Sequence, residues 1–447
     1  MKRFRNYAGM IFAIALLAFT GRGMSAAETD YNPVEFVRDS LPNGLQIIYH
    51  IDRSAPVVAT VVHYKVGSHN EIPGKTGYAH FFEHLMFEGT EDIPRASMDR
   101  YVQEAGGMLN AGTSFDQTVY YFQVPSHQIK LPLWIESQRM RKLLVDSIGV
   151  ETQRGVVLEE LKMRTENNPY GTMLNKICEN LFPGSSYEWT PIGYAKDIEM
   201  ATIQDFRNFY NTYYQPNNAV LVISGDFDIN QARKYVREYF GIFDRAPEPR
   251  RGEMKFDEMK SSIVKDIEDE KAQLPGVFIG FRGPKMGTKD QFAMNLLMDI
   301  LATGESSRLY QRLVDKEQVA VQSAAMALDL EYAGLILFIG IASPGQDYED
   351  IRELIFEEID KMLENGVTDE EFEKAKNLAE VQFISGKKEV MNKGQELAKY
   401  QAYFGSPDRI NTELKYYTEI TKEDLIEVAK KYLDTDKFVV LNYLPKK

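Results

Sequence analysis

Along the first half of the chain, apolar and polar positions change period in a way that predicts strands alternating with helices. The turn signal Pro42-Asn43-Gly44 precedes a β-branched run over 45–51, which predicts a strand, and 57–66 predicts a second. A helix is expected over about 77–87. After a break at Gly106-Gly107, residues 118–124 read as a strand, and helical spacing returns over 131–144 and 149–164. Trp134 and Met140 fall within the first of these two helices and are expected in the core.

A repeat carries more information than any single element. Thr202-Ile203-Gln204-Asp205-Phe206 runs on to Tyr213 and then to an apolar run over 219–223. Thr421-Lys422-Glu423-Asp424-Leu425 runs on to Tyr432 and then to Phe438-Val439-Val440-Leu441, each landmark 219 positions after its counterpart. Both copies read as a helix with a threonine cap and an acidic residue three positions later, feeding a buried strand. The shared spacing predicts duplicated α/β domains. The polar stretch around Ala246-Pro247-Glu248-Pro249 marks the boundary, so the expected division is a domain over 28–245, a linker over 246–262 and a second domain over 263–447.

At 447 residues the chain is long enough for two cores. A net charge of −14 argues against a nucleic-acid partner, because neutralising phosphates needs a basic face. Lys2, Arg3 and Arg5 precede an apolar run over 7–19, followed by Ser25, Ala26 and Ala27. That order predicts a secretory signal peptide over 1–27 and a periplasmic or secreted protein with no membrane span in its mature part. The single cysteine, Cys178, cannot pair within the chain and is expected to be a buried, inert thiol.

The chemistry concentrates in His80-Phe81-Phe82-Glu83-His84. On a helix His80 and His84 are one turn apart and project from one face, a spacing that suits two zinc ligands. Glu83 lies on the same side and can take a proton from a water at the metal without itself becoming a ligand. A third ligand must come from elsewhere. Over 150–164, Val150, Val157 and Leu161 form the stripe that faces the core. Glu160 flanks that stripe, Glu159 points away from it, and Gln153 lies beside Glu160 as a partner behind the ligands. The expected metal set is therefore His80, His84 and Glu160, with one zinc ion per chain. A serine nucleophile at Ser306 or Ser307 is disfavoured, because all six histidines lie in the first 130 residues.

These residues resemble the M16 metallopeptidases, the family of pitrilysin, insulin-degrading enzyme and the mitochondrial processing peptidase. His80-Phe-Phe-Glu83-His84 matches the family's inverted zinc motif. Gly106-Gly-Met-Leu-Asn110-Ala111 matches the stretch leading into its substrate-binding edge strand, and Val156-Val-Leu-Glu-Glu160 stands where the third ligand is found. The resemblance implies an α+β fold of two homologous domains, each a mainly antiparallel sheet packed with helices. It also implies a peptide or unfolded polypeptide substrate that adds as a strand beside Asn110, Ala111 and Gly112; insulinase-like members carry a larger side chain at the last position.

Two departures from the family pattern matter. Gln153 replaces a common glutamate. Val314 and Val321 replace an arginine and a tyrosine, seven positions apart, that grip the substrate backbone. The expected function is an exported zinc endopeptidase that forms one half of a heterodimer with a homologous subunit supplying the Arg/Tyr pair. The alternative is a non-catalytic peptide-binding or assembly subunit.

Overall fold

In the computed structural model, which describes residues 32–434 and 436–446, two sheets with the same strand order organise the chain. The predicted signal peptide lies outside the described residues. The first sheet comprises β1 (Val37–Ser40), β2 (Gln46–Ile51), β3 (Val57–Tyr64), β4 (Met108–Thr113), β5 (Thr118–Pro125) and β6 (Ala219–Gly225), ordered β1-β2-β6-β3-β5-β4. The second comprises β7 (Ile263–Asp269), β8 (Gly276–Gly283), β9 (Ala320–Leu328), β10 (Gly334–Ala342) and β11 (Val439–Pro445), ordered β7-β11-β8-β10-β9. Apart from β1, each strand of the first sheet has a counterpart at the same place in the second. Pairing is antiparallel except for β2 with β6 and β7 with β11. The fold is thus α+β, with two related sheets each packed with helices.

The repeat seen in the sequence has a physical basis. Thr202 and Thr421 both cap helices: each hydroxyl accepts the amide three residues on, and Asp205 and Asp424 return the bond to the cap amide. The helices Ile203–Tyr213 and Lys422–Tyr432 then lead to β6, inserted between β2 and β3, and to β11, inserted between β7 and β8.

β6, β8 and β10 are apolar along nearly their whole length because both faces of each sheet are covered. On one face each sheet carries helices from its own half. On the other it carries a helix from the opposite half. The Val390–Phe404 helix lies on β3 and β6, close enough that a Cβ on Gly394 would sit 3.1 Å from Val61. Reciprocally, the Met173–Leu181 helix lies on β8 and β11, with Ile177 and Leu181 filling the space above Gly280. Cys178 is buried in this second contact, which pushes its thiol up to about 12. The segment 246–262 contains no helix or strand, yet it is packed down: Phe256 stacks near Phe182 and Tyr187, and Arg251 donates to Lys65 O.

Three buried histidines line the seam between the halves. His63 meets the edge of Tyr403 on the exchanged helix, with ring centroids 5.6 Å apart. His69 stands 5.6 Å from Tyr332 and hydrogen-bonds Phe115 O. His50 hydrogen-bonds Glu35 O and lies 3.9 Å from Asp52, the partner of Lys393. Burial is the main cause that lowers all three pKa values from the ordinary 6.5, that of His63 to about 3. Lys65, Lys399 and Arg251 push His63 in the same direction. On acidification the unfolded chain therefore takes up protons first. This contribution to stability is intact above about pH 6.5 and is lost as pH falls from there toward 3. We expect denaturant stability to decline below pH 6.5, and His63→Phe to flatten that decline by up to about 1.4 kcal/mol per pH unit. Urea titrations of both proteins at pH 7.5, 6 and 5 measure this; parallel slopes would exclude His63 as a contributor.

Candidate metal centre

Helix Tyr78–Leu85 starts at a demanding turn. Gly77 has φ +80°, and a Cβ there would lie 2.6 Å from Ile192 O, so glycine is required on both counts. The first amides of the helix would be left without partners, and the buried carboxylate of Glu71 supplies them. Its Oε1 accepts from Ala79 N (2.7 Å), and its Oε2 accepts from Gly77 N (2.8 Å) and Trp189 Nε1 (2.9 Å). Burial raises the Glu71 pKa to about 8 against the pull of those donors. The opposite side of the helix is locked by Phe81 against Phe206 and Phe82 against Tyr214, with centroids 4.3 and 4.5 Å apart.

With that side buried, His80 and His84 emerge together, their rings 4.9 Å apart. The third group comes from helix Ser147–Thr165, whose cap Asp146 accepts from Gly149 N. Val150, Val157 and Leu161 are buried, Glu159 is exposed, and Glu160 lies between. Glu160 Oε2 is 3.6 Å from His80 Nε2 and 3.2 Å from His84 Nε2. Donors bonded tetrahedrally to zinc at about 2.1 Å stand roughly 3.4 Å from one another, so this donor set and its spacing fit the ion. Burial, then His84 and Arg164, lower His80 to about 3, which keeps its imidazole in the neutral form a metal needs. Arg164, one turn beyond Glu160, pairs with Glu160 Oε1 and leaves Oε2 toward the histidines.

Glu83 stands beside this group. Burial raises its pKa, opposed by the Thr113 hydroxyl, which donates to Glu83 Oε2 at 2.5 Å, and by His84. His80, Glu83, Ala111, Gly112, Thr113 and Arg164 share a cavity of about 330 Å³. Three of those residues belong to β4, whose other edge pairs with no strand among the described residues. Asn110 and Gly112 lie on its exposed face, and Asn110 Oδ1 accepts the Ala111 amide at 2.8 Å.

Gln153 is placed differently from the expectation. It shares the helix with Glu160, but its Nε2 donates to Glu88 at 2.7 Å, within a cluster that ties Glu88 to Arg95 and Arg95 to Asp146. An amide can satisfy a carboxylate there, where a glutamate would bring a second negative charge. Val314 packs partly buried against the second core, while Val321 is exposed on β9. Between them Gln318 holds a left-handed φ of +55°. The residues that reading the sequence missed are Glu71, Thr113 and Arg164. Only Arg164 left a signal, its position four residues after Glu160.

A sheet-and-helix repeat with a two-histidine, one-glutamate cluster on the first repeat defines a metallopeptidase of the pitrilysin type, and the chain belongs to the M16 peptidase family. The model described as "Insulinase (Peptidase family M16)" matches residues 46–187, and "Peptidase M16 inactive domain" matches 201–379. Among its relatives is the zinc protease PqqE of Helicobacter pylori, 30% identical over 399 residues that cover 88% of this chain and 89% of that one. A solved protease from Helicobacter pylori superposes with a TM-score of 0.88 at 28% identity, over 93% of this chain and all of that one. The first half of the periplasmic protease PqqL from Escherichia coli has a TM-score of 0.75 at 19% identity, over 93% of this chain and 92% of that one, and shares the fold.

Glu160 as the candidate third ligand can be tested directly. Glu160→Gln should lower zinc content at least about tenfold, while Glu159→Gln should leave it near the parent level. Elemental analysis after dialysis against limiting zinc decides this, and equal losses would put the ligand elsewhere on the helix.

Proposed function

We propose that the chain is an exported zinc endopeptidase that cleaves extended peptides and forms one half of a heterodimer with a homologous chain. The observation that carries this reading is the convergence of His80, His84 and Glu160 donors beside a partly buried carboxylate, Glu83, at the end of an edge strand. When bound, zinc supplies a Lewis acid with one position open to the reaction. A peptide pairs with the free edge of β4 past Asn110, Ala111 and Gly112, which orders its backbone whatever its side chains. Glu83 accepts the proton of the attacking water and passes it to the leaving amine, a role suited to a carboxylate whose proton affinity burial has raised. Gln153 acts from behind, through Glu88, on the position of the Glu160 helix.

Export rests on the basic, apolar and small-residue order of 1–27, and one structural neighbour is a periplasmic protease. The case for a partner rests on Val314 and Val321. Two apolar side chains cannot hydrogen-bond a peptide backbone, and a second copy of the same chain would bring the same two valines. The match of 201–379 to a domain described as inactive agrees with a second half in which no metal-holding cluster of His, Cys, Asp and Glu lies among the described residues.

Glu83→Gln should remove peptidase activity by about two orders of magnitude or more while zinc remains bound. Turnover of a quenched peptide beside elemental analysis checks this, and unchanged turnover would sink the assignment. Recovered from the exported fraction, the chain should have an intact mass that begins near Glu28. Alone it should cleave poorly, and adding a homologous chain that carries the Arg/Tyr pair should raise turnover by at least about tenfold, since positioning contributes heavily to such barriers. Full turnover by the pure chain, indifferent to that partner, would remove the case for a split site.

A further inference from the structure

Tyr170 holds a backbone conformation that costs it energy. Its φ is +59°, a left-handed value that bulky side chains rarely adopt. Strain of this kind persists only where the surroundings over-determine it, and it concentrates at functional sites. The surroundings here are a built socket in the second half. Tyr170 N donates to Asp269 Oδ2 and Tyr170 Oη donates to Leu274 O, both at 2.7 Å, so the residue bridges the start and the end of the connection from β7 to β8. Asp269 Oδ1 accepts from Lys271 N and Ala272 N, which fixes that connection in turn. The ring packs against Phe278 and Tyr443, with centroids 5.4 and 6.0 Å away. A Cβ on Gly276 would lie 2.9 Å from Tyr170 Cε1, so the second sheet gives up a side chain where the ring enters.

The socket acts on the end of the helix that carries Glu160. In helix Ser147–Thr165 the last buried residue is Leu161, and Lys162, Met163 and Arg164 after it are exposed. The final turn therefore buries no apolar side chain, and its carbonyls have no partner within the helix. Such ends fray unless something else holds them. Lys162 O accepts from Glu166 N and Asn167 N. The turn at Tyr170 then brings Gly171 beneath the next carbonyls, where a Cβ would run into Arg164 O and lie 2.7 Å from Thr165 O. Arg164 pairs with Glu160 Oε1, and Arg164, Thr165 and Gly171 line the cavity they share with His80 and Glu83. Contacts thus run from Asp269 through Tyr170 and Gly171 to Arg164 and Glu160.

A simpler reading is that Tyr170 only seats helix Met173–Leu181 on the second sheet. That does not account for the strain. Ile177 and Leu181 already dock this helix above Gly280, and the Thr172 and Tyr443 hydroxyls bond at 2.7 Å. Neither contact needs a left-handed residue.

We infer that Tyr170 is a positioning residue: held by Asp269 of the second half, it fixes the end of the Glu160 helix and so keeps the Glu160 carboxylate opposite His80 and His84. Ligands need placing to within about 0.5 Å, so slight play at this helix end is enough to weaken a metal site. The inference rests on the metal reading of those three residues, which Glu160→Gln tests by itself. The purified chain is freed of metal and titrated with cobalt against a competing chelator, its visible absorption reporting the coordination geometry. Tyr170→Gly and Asp269→Ala should lower cobalt affinity at least about tenfold and change the spectrum, and the conservative Tyr170→Phe should lower it only about threefold. Ile355→Ala, in the core of the second half, controls for lost stability. It should lower the melting temperature and leave cobalt affinity and spectrum as in the parent. In the metal-free proteins, amide hydrogen exchange over 161–165 should quicken at least about fivefold in Tyr170→Gly and Asp269→Ala but not in Ile355→Ala. That exchange pattern in a parent that binds no cobalt would uphold the hold of Tyr170 on the helix end and refute the metal reading. Parent-like affinity and exchange in Tyr170→Gly and Asp269→Ala, or equal losses in Ile355→Ala, would overturn the inference.

Discussion

The exchange of one helix between the halves is the packing constraint on which the rest of the structure depends. Each sheet is apolar on both faces, and each half covers only one face with its own helices. Left unmatched, the second faces would expose Val61, Val220 and Val222 in one half and Phe278, Leu337 and Leu441 in the other. Burying such surface is the largest favourable contribution available to the chain. The exchange also reaches the candidate metal centre. The Glu160 helix ends at Thr165, and the chain then turns into the helix docked on the second sheet. That turn is pinned by Tyr170 N to Asp269, Tyr170 Oη to Leu274 O, and the Thr172–Tyr443 hydroxyl pair. The second half thereby anchors the far end of the helix that carries Glu160.

Burial also sets the electrostatics of the site. His80 is kept neutral and Glu83 is made more basic by the same removal of water, acting on groups of opposite charge type. The two residues share one helix, so the groups that offset their desolvation come from other elements. Thr113 hydrogen-bonds Glu83 from β4, and on the neighbouring helix Arg164 pairs with Glu160 one turn before it. Glu71 holds the first turn in place from beneath. The candidate donors are thus spread over two helices and supported from a strand and a loop, and the edge strand β4 ends beside them.

Much of the local structure was legible in the chain because it follows from periodicity and capping, which act over a few residues. The helices around His80 and Glu160, β2, β3 and β5, and the threonine caps at Thr202 and Thr421 all arise this way. The choice of Glu160 over Glu159 came from the same helical arithmetic, which places one carboxylate on the flank of a buried stripe and the other in solvent. Gln153 shows where that arithmetic stops. Its angular position beside Glu160 was readable, but its partner Glu88 lies 65 residues away and was not.

By itself, then, the sequence determined the periods of its elements, the duplication, the spacing of His80 and His84 on one helical face, and the absence of a hydrogen-bonding pair at Val314 and Val321. Tertiary structure alone decided the helix exchange, the capping of the His80 helix by Glu71, the Thr113 bond to Glu83 and the pinning of Tyr170 by the second half. The physical reason is range. Hydrogen-bond caps and amphipathic stripes are written in neighbouring residues, whereas these other features join groups from 6 to more than 300 positions apart. Only the folding of both sheets against each other's helices brings them together.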